Sequence, residues 1–331
     1  MNNQCTHISI IGCGHLGSRH LQGLKNINRE IIITIVEPDP LARETAKKRF
    51  HDMLPEKTLV REVNYKSNID QLPNQTDVAI IATNADIRRR IVEETLNNTE
   101  VGSMILEKVA FQSVDDFEHI IERLKKKNIK AWVNCTRRMY PVYKEIKKIL
   151  ENQKRISFHV DGKNWGMGCN SIHHIDLFAY LTGDGSITLD ESGLDKEIYQ
   201  SKRKGFVEFG GYLTGHSSRG DFLSLVDYKA EDGTRLSFHI VSDEYEFLIH
   251  ELDKVILESR KEDGWKSQRL ALKIPFQSEL TYLAVQQILN EGVCELTPLE
   301  ESFALHKPMI EAFNSILALN RTAYNGVCPI T

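Results

Sequence analysis

The stretch that decides the fold is His7-Ile8-Ser9-Ile10-Ile11-Gly12-Cys13-Gly14-His15-Leu16-Gly17. An apolar run rich in isoleucine leads directly into a Gly-x-Gly-x-x-Gly spacing, and a helical pattern follows. In a dinucleotide-binding βαβ unit the first glycine makes a tight turn, the second lets the backbone approach a pyrophosphate, and the third lets the helix pack closely on the strand. The residues of this predicted cofactor loop are Gly12, Gly14, His15, Leu16 and Gly17.

A second apolar run, Ile31–Val36, ends at Glu37, about 20 residues beyond the glycines, where a carboxylate can bind the ribose hydroxyls of a dinucleotide. No arginine occurs in the following Pro38-Asp39-Pro40, so nothing adjacent would neutralise a 2′-phosphate. Glu37 therefore favours NAD over NADP. The alternative for Glu37 is a solvated side chain at the end of a strand.

The bulk composition excludes several classes of partner. The chain has 331 residues and a formal net charge of −4, so it lacks the basic field of a nucleic-acid-binding protein. The basic runs Arg88–Arg90 and Lys125–Lys127 lie beside acidic residues in helical patterns, and they are interpreted as solvated helix faces.

The cysteines, the start of the chain and its hydropathy predict a cytoplasmic protein with reduced thiols. None of the six cysteines forms a Cys-x-x-Cys pair, so no zinc site is expected. The polar start Met1-Asn2-Asn3-Gln4 has no charged-then-apolar leader, and no apolar run approaches the ~20 residues of a membrane-spanning helix. No membrane partner is expected.

Strand and helix signals alternate through the first third and then give way to successive strands, which predicts an α/β chain of two domains. Residues 1–135 are expected to form a doubly wound parallel Rossmann sheet. Residues 136–331 are expected to form an α+β domain with an open antiparallel sheet. An alternative for the C-terminal helix of this domain is that it packs back on the first domain. The strands predicted there are Ile156–Val160, Phe206–Tyr212, Phe222–Tyr228, Arg235–Val241, Tyr245–His250 and Lys254–Glu258. A helix is predicted near Ser171–Leu181.

Polar residues follow two apolar strands of the first domain. Thr83-Asn84 comes after one strand, and Glu107-Lys108 ends the next. Ligands of open α/β sheets bind at the carboxyl ends of the strands, so Thr83, Asn84 and Glu107 are candidate cofactor contacts. A lysine is a poor choice at the end of an apolar strand unless its ammonium acts on substrate, which makes Lys108 a catalytic candidate. The alternative is an exposed lysine.

A second cluster, Gly166–Leu177, carries adjacent histidines. Neighbouring helical residues point about 100° apart, so only one histidine faces a given site. An imidazole gains and loses a proton near neutral pH, which suits removal of a hydroxyl proton while hydride leaves the same carbon. His173 is the catalytic candidate and His174 the structural one. His173, His174, Asp176 and Cys169 point around the helix rather than converging, so a metal site is not expected.

These motifs resemble those of the Gfo/Idh/MocA family (glucose-fructose oxidoreductase, inositol dehydrogenase, rhizopine catabolism). The similar segments are the glycine loop with Ser18-Arg19-His20, Glu107-Lys108, Arg137-Arg138-Met139-Tyr140-Pro141, His173–Leu177 and Tyr180–Gly183. The resemblance implies a Rossmann domain, bound NAD(H) or NADP(H), and oxidation of a sugar or cyclitol hydroxyl. It implies that Lys108 and His173 form the catalytic pair, with His173 the proton acceptor. It also implies a homodimer or homotetramer joined through the open sheet face.

The chain departs from the family pattern at three places. Cys169 stands where the family usually has an aspartate, Val109 replaces the proline of the Glu-Lys-Pro motif, and the stretch after Thr83 lacks the usual proline and histidine. These departures point to a divergent substrate, a different proton relay or lost activity. The candidate substrate contacts are Arg138, Trp165, Cys169, Asn170 and Asp176. The alternative for Arg138 is a structural role in which it hydrogen-bonds carbonyl groups of the crossover.

The first interpretation is an NAD-dependent oxidoreductase that acts on a sugar, cyclitol or nucleotide-sugar hydroxyl, in surface-glycan biosynthesis. A second keeps the cofactor but uses it transiently to cleave glycosidic bonds. A third is a catalytically degenerate NAD(H)-binding sensor or regulator, which the missing acid at position 169 allows and the retained Lys108 and His173 oppose.

Overall fold

The computed structural model describes residues 5–52, 58–320 and 326–331, so the polar start of the chain, residues 1–4, lies outside the described residues. The chain divides into two compact units. The first contains Met1–Phe111, Asp115–Thr136 and Pro275–Leu299, and the second contains Gln112–Val114, Arg137–Ile274 and Glu300–Thr331.

The helices are α1 (Gly17–Leu24), α2 (Pro40–His51), α3 (Ala85–Asn98), α4 (Val114–Lys126), α5 (Pro141–Leu150), α6 (Met167–Thr182), α7 (Gln277–Glu291) and α8 (Leu299–Asn320). The strands are β1 (Thr6–Ile11), β2 (Ile31–Val36), β3 (Val60–Lys66), β4 (Gln75–Ile81), β5 (Glu100–Leu106), β6 (Lys130–Val133), β7 (Ser157–Lys163), β8 (Ile187–Asp190), β9 (Tyr199–Gln200), β10 (Val207–Glu208), β11 (Gly211–Ser217), β12 (Phe222–Tyr228), β13 (Arg235–Val241), β14 (Tyr245–His250), β15 (Val255–Arg260), β16 (Gln268–Ala271) and β17 (Thr297–Pro298).

The first unit is a parallel sheet in the order β17-β6-β5-β4-β1-β2-β3, in which only β17 runs antiparallel to its neighbour. From β1 the chain moves outward in one direction to β2 and β3, and from β4 it moves in the opposite direction to β5 and β6. Because such crossovers are right-handed, the helices of the two halves cover opposite faces. The point where the order reverses lies between β1 and β4, where a crevice opens for a ligand.

The inner strands of this sheet are buried on both faces. Ile8 and Ile10 of β1, Ile33 of β2 and Val78–Ile81 of β4 are fully buried. A continuous apolar run is what a parallel strand covered on both sides requires, so these segments read as strands despite the lack of alternation. Their rigid packing fixes the loops that follow β1 and β4.

The second unit contains a sheet in the order β16-β15-β14-β13-β7-β12-β11-β8. Its pairs are antiparallel except β12 with β7. One face packs on α6, where the ring of Phe158 stacks 6.3 Å from that of Phe178. The other face is half-exposed, and one row across it contains Ser224, His159, His239, Leu248 and Leu257.

The predicted fold class is confirmed: an N-terminal parallel Rossmann sheet and a C-terminal, mostly antiparallel sheet. The predicted strand Phe206–Tyr212 is wrong in its extent, because β10 ends at Glu208 and β11 begins at Gly211, whose φ is +89°. The helix predicted near Ser171–Leu181 is α6, which begins earlier, at Met167, since Gly166 with a φ of +81° forms the turn that starts it. Within the described residues, no helix is both long and apolar enough to cross a membrane.

Candidate functional site

The glycine loop between β1 and α1 is shaped by close backbone contacts. Gly12 has a φ of +86°, and a Cβ there would lie 2.9 Å from both the backbone N and Cγ2 of Thr83. A Cβ on Gly17 would lie 2.0 Å from the carbonyl oxygen of Gly12. A Cβ on Gly14 would meet nothing within 4 Å, so this backbone is open to a ligand. The three glycines therefore have the distinct roles that a pyrophosphate-binding turn demands.

A cleft of about 630 Å³ opens at the switch point beside this loop. The predicted cofactor residues Gly12, Gly14, Glu37, Thr83 and Asn84 all line it. The predicted residues His15 and Leu16 form the turn into α1, with His15 exposed and Leu16 as the N-cap. The predicted residue Glu107 is buried in a hydrogen-bond network described below.

The chemistry of the cleft fits a dinucleotide. The buried Thr83 Oγ1 has no hydrogen-bond partner among the described residues, although it lies at the wall of the cleft. A buried hydroxyl without a partner costs free energy, and a ribose or phosphate oxygen would supply the missing hydrogen bond. The residues that would hold NAD here are the Gly12–Gly17 loop, Thr83 and Glu37.

Glu37 is anchored at the rim of the cleft by two backbone donors. Its Oε2 accepts from the N–H of Cys13 at 2.7 Å, and its Oε1 accepts from the N–H of Asp39 at 3.0 Å. Carboxylate oxygens have further lone pairs, so these bonds orient Glu37 without exhausting its acceptors. Burial, and then Glu37 itself, raise the pKa of the Cys13 thiol to about 12, so this thiol stays protonated.

We expect Gly12→Ala and Gly14→Ala to separate folding from cofactor binding. Alanine at position 12 is strained by the positive φ and clashes with Thr83, so Gly12→Ala lowers both the Tm and NAD affinity, the latter by about tenfold or more. Gly14→Ala meets no protein atom and leaves the Tm near that of the unmodified protein, but it weakens NAD binding. Calorimetric titration with NAD+ and thermal melts measure both. Unchanged NAD affinity in both variants would refute the loop's assignment.

Arg88 connects the loops that follow β4 and β5, and the expectation that it is a solvated helix residue is wrong. Its side chain is 1% exposed and donates to the carbonyl oxygens of Thr83, Val109 and Ala110. A buried guanidinium needs acceptors for its N–H groups, and three carbonyls provide them. Arg88 thereby fixes the loop after β4 and the backbone that follows Lys108, which is half-buried and joined to Val109 by a cis peptide bond. Arg89 and Arg90 are ion-paired surface residues, as predicted.

Glu107 belongs to a buried polar network rather than to the wall of the cleft. Its Oε1 accepts from His20 Nε2 at 2.8 Å and from Asn134 Nδ2 at 2.5 Å, and His20 Nδ1 lies 2.9 Å from Thr281 Oγ1. Although burial acts to raise the pKa of Glu107, the hydrogen bond and positive charge of His20, with Arg88 and Asn134, bring that pKa below its ordinary value. Glu107 is therefore ionised and ties β5 to α1, β6 and α7.

We expect Glu107→Gln to make the free energy of unfolding depend less steeply on pH in the acid range. Because the pKa of Glu107 is lowered on folding, its stabilising contribution is complete above the ordinary value of 4.5 and is lost as pH falls toward the folded pKa. In that range the unfolded chain takes up a proton that the folded chain does not, at up to about 1.4 kcal/mol per pH unit. Urea denaturation between about pH 3 and pH 6 measures this slope. Equal slopes for Glu107→Gln and the exposed control Glu262→Gln would contradict the expectation.

The exposed face of α6 carries the second group of predicted residues. Gly166, Cys169, Asn170 and His173 follow at helical spacing and are half-exposed. His174 is buried, with its ring 5.0 Å from that of Trp165 and 5.3 Å from that of Phe238. His173 is thus the half-exposed histidine of the pair, while His174 packs in the core.

The start of α6 is held by two carboxylates that the sequence analysis did not single out. Asp227 accepts from the N–H groups of Trp165, Gly166 and Met167, and Glu208 Oε2 accepts from the Gly168 N–H at 2.6 Å. Together they satisfy the donors that a helix N-terminus leaves unpaired. Among the predicted substrate contacts here, Trp165 is buried and donates from Nε1 to Val226 O, and Asn170 donates to Trp165 O.

Arg138 and Asp176 form a buried ion pair. The guanidinium binds Asp176 through two hydrogen bonds of 3.0 and 2.8 Å, and a third of 3.1 Å goes to Glu301. Burial opposes the charge of Arg138, but the two carboxylates raise its pKa and keep it cationic. The alternative interpretation of Arg138 expected carbonyl acceptors, whereas the acceptors found here are carboxylates. In the part of the chain that is described, no cluster of histidine, cysteine, aspartate or glutamate has the geometry of a metal site.

Comparison with known proteins identifies a family whose dinucleotide-binding domain is similar to the first part of this chain. Residues 6–135 match the family model GFO_IDH_MocA, described as "Oxidoreductase family, NAD-binding Rossmann fold". No curated protein matches the chain significantly.

Solved structures share the fold of the chain at low identity. UDP-N-acetylglucosamine 3-dehydrogenase GnnA from Acidithiobacillus ferrooxidans is 12% identical, with a TM-score of 0.71 over 96% of this chain and 100% of that one. An oxidoreductase from Agrobacterium radiobacter in complex with NAD+, L-tartaric acid and magnesium is 15% identical, with a TM-score of 0.71 over 96% and 98%. Levoglucosan dehydrogenase in complex with NADH is 16% identical, with a TM-score of 0.71 over 95% and 98%.

The glycine loop, the cleft and the match over residues 6–135 agree. Over residues 6–135 the chain therefore matches the NAD-binding Rossmann domain of the Gfo/Idh/MocA oxidoreductase family.

Proposed function

We propose that this chain is a dehydrogenase that transfers hydride between a carbohydrate-like secondary alcohol and NAD. The observation that carries the proposal is the dinucleotide cleft, where Thr83 Oγ1 lacks a partner among the described residues and Lys108 follows the next strand. When bound, NAD+ accepts a hydride from the substrate carbon. The chain must then accept the hydroxyl proton, orient the alcohol and hold the cofactor.

Lys108 and His173 are the residues proposed for the substrate alcohol. Lys108 follows a rigid strand, and Arg88 holds the backbone after it, so its ammonium is presented as a hydrogen-bond donor to the alcohol oxygen. His173 lies on the half-exposed face of α6, where an imidazole can accept the hydroxyl proton. As the C–H bond breaks, both its electrons leave with the hydride, and the alcohol becomes a carbonyl.

The substrate class is proposed from two relatives of the same fold. One structural neighbour is named a UDP-N-acetylglucosamine 3-dehydrogenase and another a levoglucosan dehydrogenase. We therefore propose a sugar, cyclitol or nucleotide sugar as substrate. Oxidation of a nucleotide sugar would serve surface-glycan biosynthesis.

A panel of alcohols tests the function. Purified protein is incubated with NAD+ or NADP+ and with UDP-N-acetylglucosamine, levoglucosan, myo-inositol or D-glucose, and NADH or NADPH is followed by absorbance. We expect reduction of NAD+ by at least one alcohol, and weaker reduction of NADP+ because Glu37 opposes a 2′-phosphate. Tight NAD+ binding without turnover of any alcohol would overturn the dehydrogenase proposal and favour the regulator or the transient-redox enzyme.

We also propose that the half-exposed face of the second sheet joins copies of the chain into a homodimer or homotetramer. Phe222, Val226, Leu248 and Leu257 on this face are only half-buried within one chain. Large apolar side chains that share one exposed sheet face are typical of a surface that binds another protein chain. Light scattering measures the mass, and Phe222→Arg is expected to reduce it to that of the monomer. A monomeric unmodified protein would overturn this assembly.

A cytoplasmic location is proposed from the thiols. None of the six cysteines forms a disulfide in the described part of the chain, and thiols persist in a reducing compartment. Fractionation of cells that express the chain tests this location. Recovery in an oxidising compartment would overturn it.

A further inference from the structure

Glu208 reaches the exposed face of α6 from a different element. It lies on β10, far from α6 in sequence, and is 8% exposed. Its Oε2 binds the Gly168 N–H, and its carboxyl is also hydrogen-bonded by the Cys169 thiol. One carboxyl therefore contacts both the backbone of the first helical turn and a half-exposed side chain of the face that contains His173.

Three polar atoms surround the open side of Gly166. A Cβ at this residue would lie 3.0 Å from Cys169 Sγ, 3.2 Å from Glu208 Oε1 and 3.3 Å from Asn170 Nδ2. The three groups thus converge on one place, which a side chain at position 166 would fill. A carboxylate, a thiol and an amide provide both donors and acceptors, which suits a hydroxyl group.

The charges around this place disfavour an anion. Glu208 lies near a second buried carboxylate, Asp227, and Lys229 opposes their charge, with its Nζ 2.8 Å from Asp227 Oδ2. Burial raises the pKa of Glu208, against the opposing effects of Cys169, Gly168 and Lys229. A carboxyl that has lost water in this way gains from a new hydrogen-bond donor.

We propose that Glu208, with Cys169 and Asn170, is a specificity-determining residue that binds an uncharged hydroxyl of the substrate beside His173. The proposal rests on the proposed dehydrogenase function. The Glu208 carboxyl accepts a hydrogen bond from the hydroxyl and positions the sugar ring along α6. It does not take part in the transfer of hydride or proton.

Glu208→Gln separates binding from helix capping. A glutamine oxygen still accepts from the Gly168 N–H, so a residue that only caps α6 would tolerate the change. Loss of a charge-assisted hydrogen bond to substrate is expected to raise KM for the alcohol about 10- to 100-fold, with kcat changed less. The matched control is Glu258→Gln, whose glutamate is also 8% exposed but lies on β15. The Tm and the NAD+ affinity show that each variant is folded.

Alkylation of Cys169 provides a second readout that needs no turnover. Peptide mass spectrometry follows iodoacetamide modification of Cys169 with and without NAD+ and each alcohol of the panel. An alcohol at about ten times its KM is expected to slow the modification about tenfold in the unmodified protein, and much less in Glu208→Gln at the same concentration.

The outcomes distinguish this proposal from the function on which it rests. A KM increase and lost protection in Glu208→Gln, with neither in Glu258→Gln, support it. NADH formation without protection of Cys169, or unchanged KM in Glu208→Gln, overturns the role of Glu208 alone. Absence of both NADH formation and protection with every alcohol overturns the dehydrogenase proposal and the role of Glu208 with it.

Discussion

Arg138→Met is expected to lower the free energy of unfolding by about 3–5 kcal/mol, because it removes the countercharge and two hydrogen bonds from a buried carboxylate. Asp176 is 0% exposed, and both its oxygens accept from Arg138. Methionine fills much of the arginine's volume but donates no hydrogen bond. Glu301 loses a donor too, but its side chain is 43% exposed and water replaces the bond. Urea denaturation followed by circular dichroism measures the loss.

The double variant Arg138→Met/Asp176→Leu separates the loss of the partner from the loss of packing. Replacing a whole buried ion pair by apolar residues is often neutral or stabilising, so the second change should recover most of the free energy. A loss of unfolding free energy below about 1 kcal/mol in Arg138→Met would contradict the expectation, because a solvent-exposed ion pair contributes no more than that.

The first unit could be predicted from the sequence because its signals are local. The glycine spacing, the apolar runs of β1, β2 and β4, and Glu37 at the end of β2 all lie within short segments. The small strand β17 could not be found in this way, since its pairing partner β6 lies far away in the chain. In the second unit the apolar pattern continued across the break between β10 and β11, where Gly211, the first residue of β11, has a positive φ.

The polar partners of the site were harder to predict, because they come from distant elements. His20 and Glu107 are 87 residues apart, and Thr281 is 261 residues from His20. Arg88 did leave a signal: with Ile91, Val92 and Thr95 it forms the buried stripe of α3 at helical spacing. Because Arg88 precedes the solvated Arg89 and Arg90, the sequence alone indicates that all three arginines are surface residues. Glu208 is likewise marked by its apolar neighbours in Phe206-Val207-Glu208-Phe209, an unusual setting for a carboxylate.

The different roles proposed for Lys108 and His173 determine which kinetic constant should change when either side chain is removed. In the proposed mechanism, Lys108 is a donor that stabilises negative charge on the alcohol oxygen as its proton leaves, whereas His173 receives that proton. Both effects are stronger in the transition state than in the bound substrate. Loss of either side chain therefore affects kcat more than KM. Affinity for NAD+ depends on the glycine loop and Thr83, so it should stay unchanged in both variants.

His173→Ala is expected to lower kcat by about two to four orders of magnitude, the usual contribution of a general base. The rising limb of kcat/KM with pH, which reports deprotonation of the base, should disappear in this variant. Lys108→Met should also lower kcat, but it should keep that limb because His173 is still present. His216→Ala is the matched control, since His216 is an exposed histidine on β11, and its turnover should equal that of the unmodified protein. Full turnover in His173→Ala, with an alcohol that the unmodified protein oxidises, would show that another group accepts the proton.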